Sequence, residues 1–175
     1  NGLVDRKYSA ATGCPDCASR SGNKREAEVN ALLCDLGLRP IETSLDLDSA
    51  AVKLRQARCN AFARHVAIPR DADQRALELD FLLCVDRVLF GLEIDGPQHY
   101  GLRYRGFDDA AFVQVATRDA EKVDRLEKKE IEVRRIPLPL LSHGYTLAQL
   151  VADMLSGRSL FVGTPTPDWI PIKGA

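Results

Sequence analysis

The densest set of chemically useful side chains in this sequence is the run Glu93-Ile94-Asp95-Gly96-Pro97-Gln98-His99-Tyr100. Alternation along a strand puts Glu93 and Asp95 on one face and Ile94 on the other. A further carboxylate, Asp80, lies between Leu79 and Phe81 in the preceding apolar run. A carboxylate inside an apolar strand is expensive to bury unless it is paired, hydrogen-bonded or metal-bound. The two runs, ALELDFLLCV over 76–85 and VLFGLEID over 88–95, are separated only by Asp86-Arg87, which predicts a β-hairpin. Pairing about that junction sets Asp80 opposite Glu93. Like charges directly opposite each other destabilise a sheet unless a cation bridges them. Two carboxylates plus water suit Mg²⁺, a hard ion with oxygen ligands that can activate water and neutralise charge on a phosphate. The plainer alternative is an edge-strand Asp80 facing solvent and a Glu93 paired with an arginine. Gly96-Pro97 ends the second strand and leaves the carboxylates at an accessible rim.

Glu93-x-Asp95-Gly96-x-Gln98-His99, preceded by Leu79-Asp80-Phe81, resembles the core of the PD-(D/E)XK restriction-endonuclease-like superfamily. The nearest branch is the one of very-short-patch-repair-like and EDxHD homing endonucleases. Upstream, Glu26-x-x-Val29-x-x-x-Leu33 is similar to the first helix of those enzymes; downstream, Asp119-x-x-Lys122 and Val133-x-Arg135-Ile136 are similar to their last helix and strand. The resemblance runs over roughly residues 22–137. It implies a restriction-endonuclease-like α/β fold, a small mixed sheet flanked by helices, and Mg²⁺-dependent hydrolysis of DNA phosphodiester bonds. Asp80 and Glu93 would be the metal carboxylates and Glu26 an auxiliary acid, with Glu28 as its competitor. The superfamily's lysine is absent, Asp95 standing in its place. Gln98, His99 or Lys122 would then supply the polarising or proton-transfer role, His99 as a general base or as a hydrogen-bond donor to phosphate. Asp119 and Lys122, one helical turn apart, would form an orienting pair at the rim or an ordinary solvated ion pair. The same core also resembles the RAP domain, which implies a second reading: a non-catalytic RNA-binding or assembly module within a larger ribonucleoprotein. Acids kept in three separate elements, Glu26, Asp80 and Glu93, favour the enzyme.

Cys14-x-x-Cys17 has zinc-knuckle spacing, but a structural Zn²⁺ site needs four ligands. The completions are a pair upstream of Asn1, Cys59 with His65, or no metal; the resemblance favours a partner upstream or far along the chain. Cys34 and Cys84 fall in apolar patterns and read as buried thiols. Five scattered cysteines do not read as a disulfide framework, which predicts a reducing, intracellular setting. Arg103 and Arg105, with Tyr100 and Tyr104, are placed after the motif to touch a phosphate backbone. The other basic residues, Arg118, Lys122, Arg125, Lys128, Lys129, Arg134 and Arg135, are interleaved with acids and read as a solvated face.

The elements that must carry these residues follow from hydrophobic spacing. Helices are predicted over 23–36, stopped by Gly37, over 49–66, over 107–129 with a break near Thr117, and around Leu147–Leu155. A last strand is predicted over 131–138. The order is α, α, β, β, α, β, α, with a parallel crossover from Val88 to Leu138. Three segments result: a cysteine knuckle over 1–22, the endonuclease-like domain over 23–160 and a Pro-rich tail over 161–175 in which Trp169 anchors to the domain or a partner. The chain of 175 residues is long enough for one sizeable core, and 45% hydrophobic residues exclude wholesale disorder. The opening residues lack a signal-peptide apolar run, and a start at Asn1 suggests a fragment or a processed product. No apolar run approaches the ~20 residues of a spanning helix. With 24 Lys+Arg against 25 Asp+Glu, a uniformly basic nucleic-acid binder is excluded, though a local basic surface is not.

Overall fold

The computed structural model describes residues 20–42, 45–71, 74–100 and 109–157. Cys14, Cys17, Arg103, Arg105, Tyr104 and Trp169 lie outside the described residues, as do the proposed zinc half-site and the Pro-rich tail. The elements are α1 (Arg20–Asp35), β1 (Arg39–Pro40), α2 (Leu47–Gln56), β2 (Ala61–Ile68), β3 (Leu77–Val85), β4 (Val88–Asp95), α3 (Asp109–Glu127), β5 (Glu132–Pro137) and α4 (Leu147–Leu155). Short 3₁₀ turns at Pro97–Tyr100 and Leu138–His143 follow β4 and β5. Local signals set the boundaries. Gly37, at φ +85°, lets the chain reverse after α1. Asp46 caps α2 by accepting the Ser49 N–H at 2.9 Å, and Thr146 with Gln149 forms a capping box on α4.

The five strands form one mixed sheet in sequential order. β2, β3 and β4 are an antiparallel meander, while β1 is parallel to β2 and β5 is parallel to β4. α3 makes the crossover that the parallel β4–β5 pair requires. The hairpin register is the one set by the Asp86-Arg87 junction: Val85 faces Val88 and Phe81 faces Leu92. Helices cover both faces. Leu47, Ala50 and Leu54 of α2 and Val123 and Leu126 of α3 share one buried cluster. Val29 and Leu33 of α1 and Leu150, Val151 and Met154 of α4 share the other. The fold class is therefore the α/β sandwich with a mixed sheet that the sequence predicts.

Besides the two-residue strand β1, which hydrophobic spacing does not predict, two elements differ from that expectation. The helix predicted over 49–66 ends at Gln56, and Ala61–Ile68 is a central strand. Its apolar residues do not alternate simply. Ala61 and Ala63 belong to the α2–α3 cluster and Phe62 to the α1–α4 cluster, yet Val66 and Ile68 return to the first. The switch falls at His65, whose φ is +51°. The neighbouring strand switches with it: Leu77 and Leu79 face the α2–α3 side, Phe81 and Leu83 the other. Such a pattern hides a strand from a period-two reading and leaves Leu54, Ala57, Ala61, Phe62 and His65 at helix-like spacing. The second difference is α3, which is continuous through Thr117; its hydroxyl donates to the Val113 carbonyl at 2.7 Å rather than breaking the helix.

Candidate functional site

The switch in facing direction places Asp80 where the β3–β4 ladder ends. One residue beyond the Phe81–Leu92 pair, Asp80 Oδ2 accepts the backbone N–H of Ile94 at 2.8 Å. Glu93 points to the α3 side and is 4% exposed. Lys122 of α3 donates to its Oε2 at 2.6 Å, while Oε1 has no hydrogen-bond partner among the described residues. Burial is the main force lifting the Asp80 carboxyl well above its usual range; the Glu93 charge adds to it and Lys122 opposes it. Burial raises Glu93 as well, against the attraction of Lys122 and Arg135. Lys122 loses hydration, but the charges of Glu93, Asp80 and Asp119 outweigh that loss and hold its ammonium above the ordinary range. The directions agree physically: Lys122 bonds Glu93 and acts on Asp80 only through its charge, so the two acids have one ammonium between them.

A second network adjoins the first. Arg135 of β5, in register with Glu93 and 1% exposed, donates from one nitrogen to both oxygens of Asp95 at 2.8 and 2.9 Å. Tyr100 Oη donates to Asp95 Oδ2 at 2.9 Å. His99 Nδ1 meets Asp119 Oδ2 at 2.7 Å, and Asp95 Oδ1 lies 3.7 Å from the same ring nitrogen. Burial alone would lower the His99 pKa, but the Asp119 hydrogen bond and the charges of Asp95 and Asp119 raise it to about 9. His99 is therefore an imidazolium at neutral pH. Burial tends to raise Asp119, and the His99 contact reverses that and sets it below the usual range. Asp95 and Asp119 are answered by Arg135 and His99, so this network is balanced.

Several expectations change. Lys122 and Arg135 are buried rather than part of a solvated face, as is Asp119. Asp119 and Lys122 are not an ion pair with each other: they reach His99 and Glu93 respectively. A charged His99 is a proton donor at neutral pH, not a free general base. Asp95 is engaged by Arg135 and Tyr100 and acts as an anchor for that network. Glu26 lies 3.5 Å from His65 and 3.9 Å from Arg64, and its charge contributes to the rise of Asp80. Glu28 instead pairs with Arg25 at 2.6 Å along the helix. Gln98 belongs to the 3₁₀ turn after β4. Cys59 precedes β2 and His65 lies within it, and four strand residues, about 13 Å, already separate Ala61 from His65. Cys34 is exposed, whereas Cys84 is buried and its thiol is raised by burial.

Sequence reasoning missed Arg135 as a site residue. Its signal was present: of the two arginines between Val133 and Ile136, strand alternation turns Arg135 to the same face as Val133, where an arginine needs buried acids. Among the described residues no group of three or more His, Cys, Asp or Glu side chains is arranged to hold one metal ion. The Asp80–Glu93 pair nevertheless fits a hard cation that keeps several waters and takes one or two carboxylates; the free Glu93 Oε1 is directly usable. No protein-family model matches this chain, and neither a curated protein nor a solved structure matches it. Among the described residues no helix is long and apolar enough to cross a membrane.

Proposed function

We propose that the protein is a metal-dependent endonuclease that hydrolyses phosphodiester bonds of DNA. The observation that carries this reading is the pairing of a half-buried Asp80 with a buried Glu93, two acids beside one ammonium, with a Glu93 oxygen that no described group satisfies. Asp80 and Glu93 would hold Mg²⁺. When bound, the ion supplies charge neutralisation at the phosphate and acidifies water. Lys122 keeps Glu93 oriented and adds positive charge beside the attacked phosphorus. A water that has released its proton to bulk solvent would attack as hydroxide; as its oxygen bonds to phosphorus and the ester P–O bond breaks, the His99 imidazolium can protonate the departing oxygen. Asp119 holds Nδ1 of that ring and leaves Nε2 as the donating nitrogen. Asp95 and Arg135 fix the floor beneath it.

Intact protein is expected to cleave duplex or nicked DNA only with Mg²⁺ or Mn²⁺ present, and Asp80→Ala and Glu93→Ala are each expected to abolish cleavage. One observation favours the second reading, an RNA-binding or assembly module: most of the site's acids already have internal cations, in the Glu93–Lys122, Asp95–Arg135 and Asp119–His99 pairs. Cleavage of neither DNA nor RNA, with RNA association unimpaired in both alanine variants, would select that module.

A further inference from the structure

At the end of the sheet away from Asp80 and Glu93, two clefts of about 670 and 680 Å³ lie on either side of the connection between α2 and β2. Arg58 lines both; Arg39 and Lys53 line the first, and Arg55 and Arg87 the second. All four arginines are exposed, and none makes an ion pair among the described residues. Lys53 is the exception among these cations, being paired with Glu42. Among the described residues no acid lines the first cleft, and Asp86 alone lines the second. Asp86 is committed to Asn60: its N–H donates to Asn60 Oδ1 at 2.8 Å, and its Oδ1 accepts from Nδ2 at 3.4 Å. That contact ties the hairpin turn to the start of β2 and gives the arginines a fixed base. The turn holds Arg87 at φ +69°, a conformation that two-residue hairpins normally assign to glycine or asparagine.

We propose that Arg39, Arg55, Arg58 and Arg87 form a binding surface for the phosphate backbone of nucleic acid, separate from the candidate catalytic centre. A chain of net charge -1 has no general surplus of cations, so four unpaired arginines around adjoining clefts are a local concentration. Guanidinium is the side chain suited to phosphate, because its planar fork donates two parallel hydrogen bonds and gives up water readily. Two neighbouring clefts sharing one arginine match a repeating polyanion better than a single small anion. Asp80 and Val85 are five strand steps apart, about 17 Å, so the surface grips nucleic acid away from any bond being cut. Binding there requires no hydrolysis at the Asp80–Glu93 site.

The test is binding of the full chain to labelled duplex DNA and RNA across a salt series, without divalent ions. Arg55→Gln/Arg58→Gln/Arg87→Gln is expected to weaken binding about tenfold or more. It should also reduce the salt slope by about 0.9 for each phosphate that is no longer neutralised. Lys128→Gln, at an exposed cation already paired with Asp124, should leave both nearly unchanged, and the absence of divalent ions keeps binding separate from hydrolysis. Arg87→Gly separates binding from folding: it relieves the positive φ and should raise the thermal midpoint while lowering affinity. No binding by the intact protein, unchanged affinity and slope in the triple variant, or full competition by inorganic phosphate at equal phosphate concentration would each overturn the proposal.

Discussion

At the level of single residues, the protein keeps two acids in a setting that opposes their ionisation. The folded-state pKa of Asp80 lies above its unfolded value, so the folded chain binds more protons than the unfolded chain in the window between them. Stability contributed by that group is lost as pH rises through the window and stays lost above it. Asp80→Asn keeps an acceptor for the Ile94 N–H but carries no charge. It is expected to be more stable than the parent at neutral pH in EDTA, by about 1.4 kcal/mol for each pKa unit relieved. Thermal melts of both proteins from pH 4 to pH 8 should converge at the acid end and diverge toward neutrality; parallel curves would show that Asp80 is not strained. His99 behaves oppositely. Its pKa is raised to about 9, so its stabilising contribution is complete below the unfolded value near 6.5 and is lost as pH rises through about 9. Asp119→Asn removes the main cause. An NMR titration should then show the His99 ring titrating well below its parent value, with up to ~3 kcal/mol of pH-dependent stability gone between those limits. An unmoved titration would mean that Asp119 is not the partner that charges the ring.

At the level of elements, the site depends on how closely β3, β4 and α3 approach. Gly91 of β4 sits on the same side as Glu93, and a Cβ there would lie 3.1 Å from both terminal carbons of Leu79 and 3.7 Å from Leu126. Leu79 immediately precedes Asp80, so pushing it shifts the carboxylate as well as the core. Gly91→Ala is expected to cost about 1–3 kcal/mol by overpacking, seen as a lower urea midpoint with an unchanged m-value. A neutral or stabilising outcome would mean that Leu79 has room to yield. The same elements show why the hairpin and its register were legible while β2 was not. A two-residue junction between apolar runs admits one simple pairing, and Asp80 and Glu93 fall together from it without further information. Ala61–Ile68 changes face at His65, a long-range requirement of the β2–β3 pair that leaves no alternating pattern in its own residues. Lys122 and Arg135 were misplaced for a related reason. A basic residue among acids in sequence looks solvated, and its burial depends on carboxylates that other elements supply: Glu93 on β4 for Lys122, and Asp95 on β4 with Asp119 on α3 for Arg135.

At the level of the whole molecule, a net charge of -1 conceals a separation of charge along the sheet. The Asp95–Arg135–His99–Asp119 group is balanced, the Asp80–Glu93–Lys122 group sets two acids against one ammonium, and among the described residues arginines without ion pairs lie at the far end. A divalent cation should therefore act on this protein through one place and stabilise the fold by mass action there. At ten times its dissociation constant a ligand specific for the folded state adds about 1.4 kcal/mol. For a chain of this size that is about 3–6 °C in thermal midpoint. Mg²⁺ or Mn²⁺ is expected to produce such a shift in the parent protein, beyond NaCl at matched ionic strength. Glu93→Gln, which removes one of the two ligand charges, should lose most of it. Lys122→Met makes the sharper comparison because it takes away the internal cation that occupies Glu93 Oε2. Whatever its starting stability, its ion-induced shift should exceed that of the parent, since the two carboxylates then lack any counter-charge of their own. If instead Lys122→Met shifts no more than the parent, or Glu93→Gln shifts as much, the ion acts elsewhere. The acids would then be an internally compensated part of the core, as the binding-module reading requires.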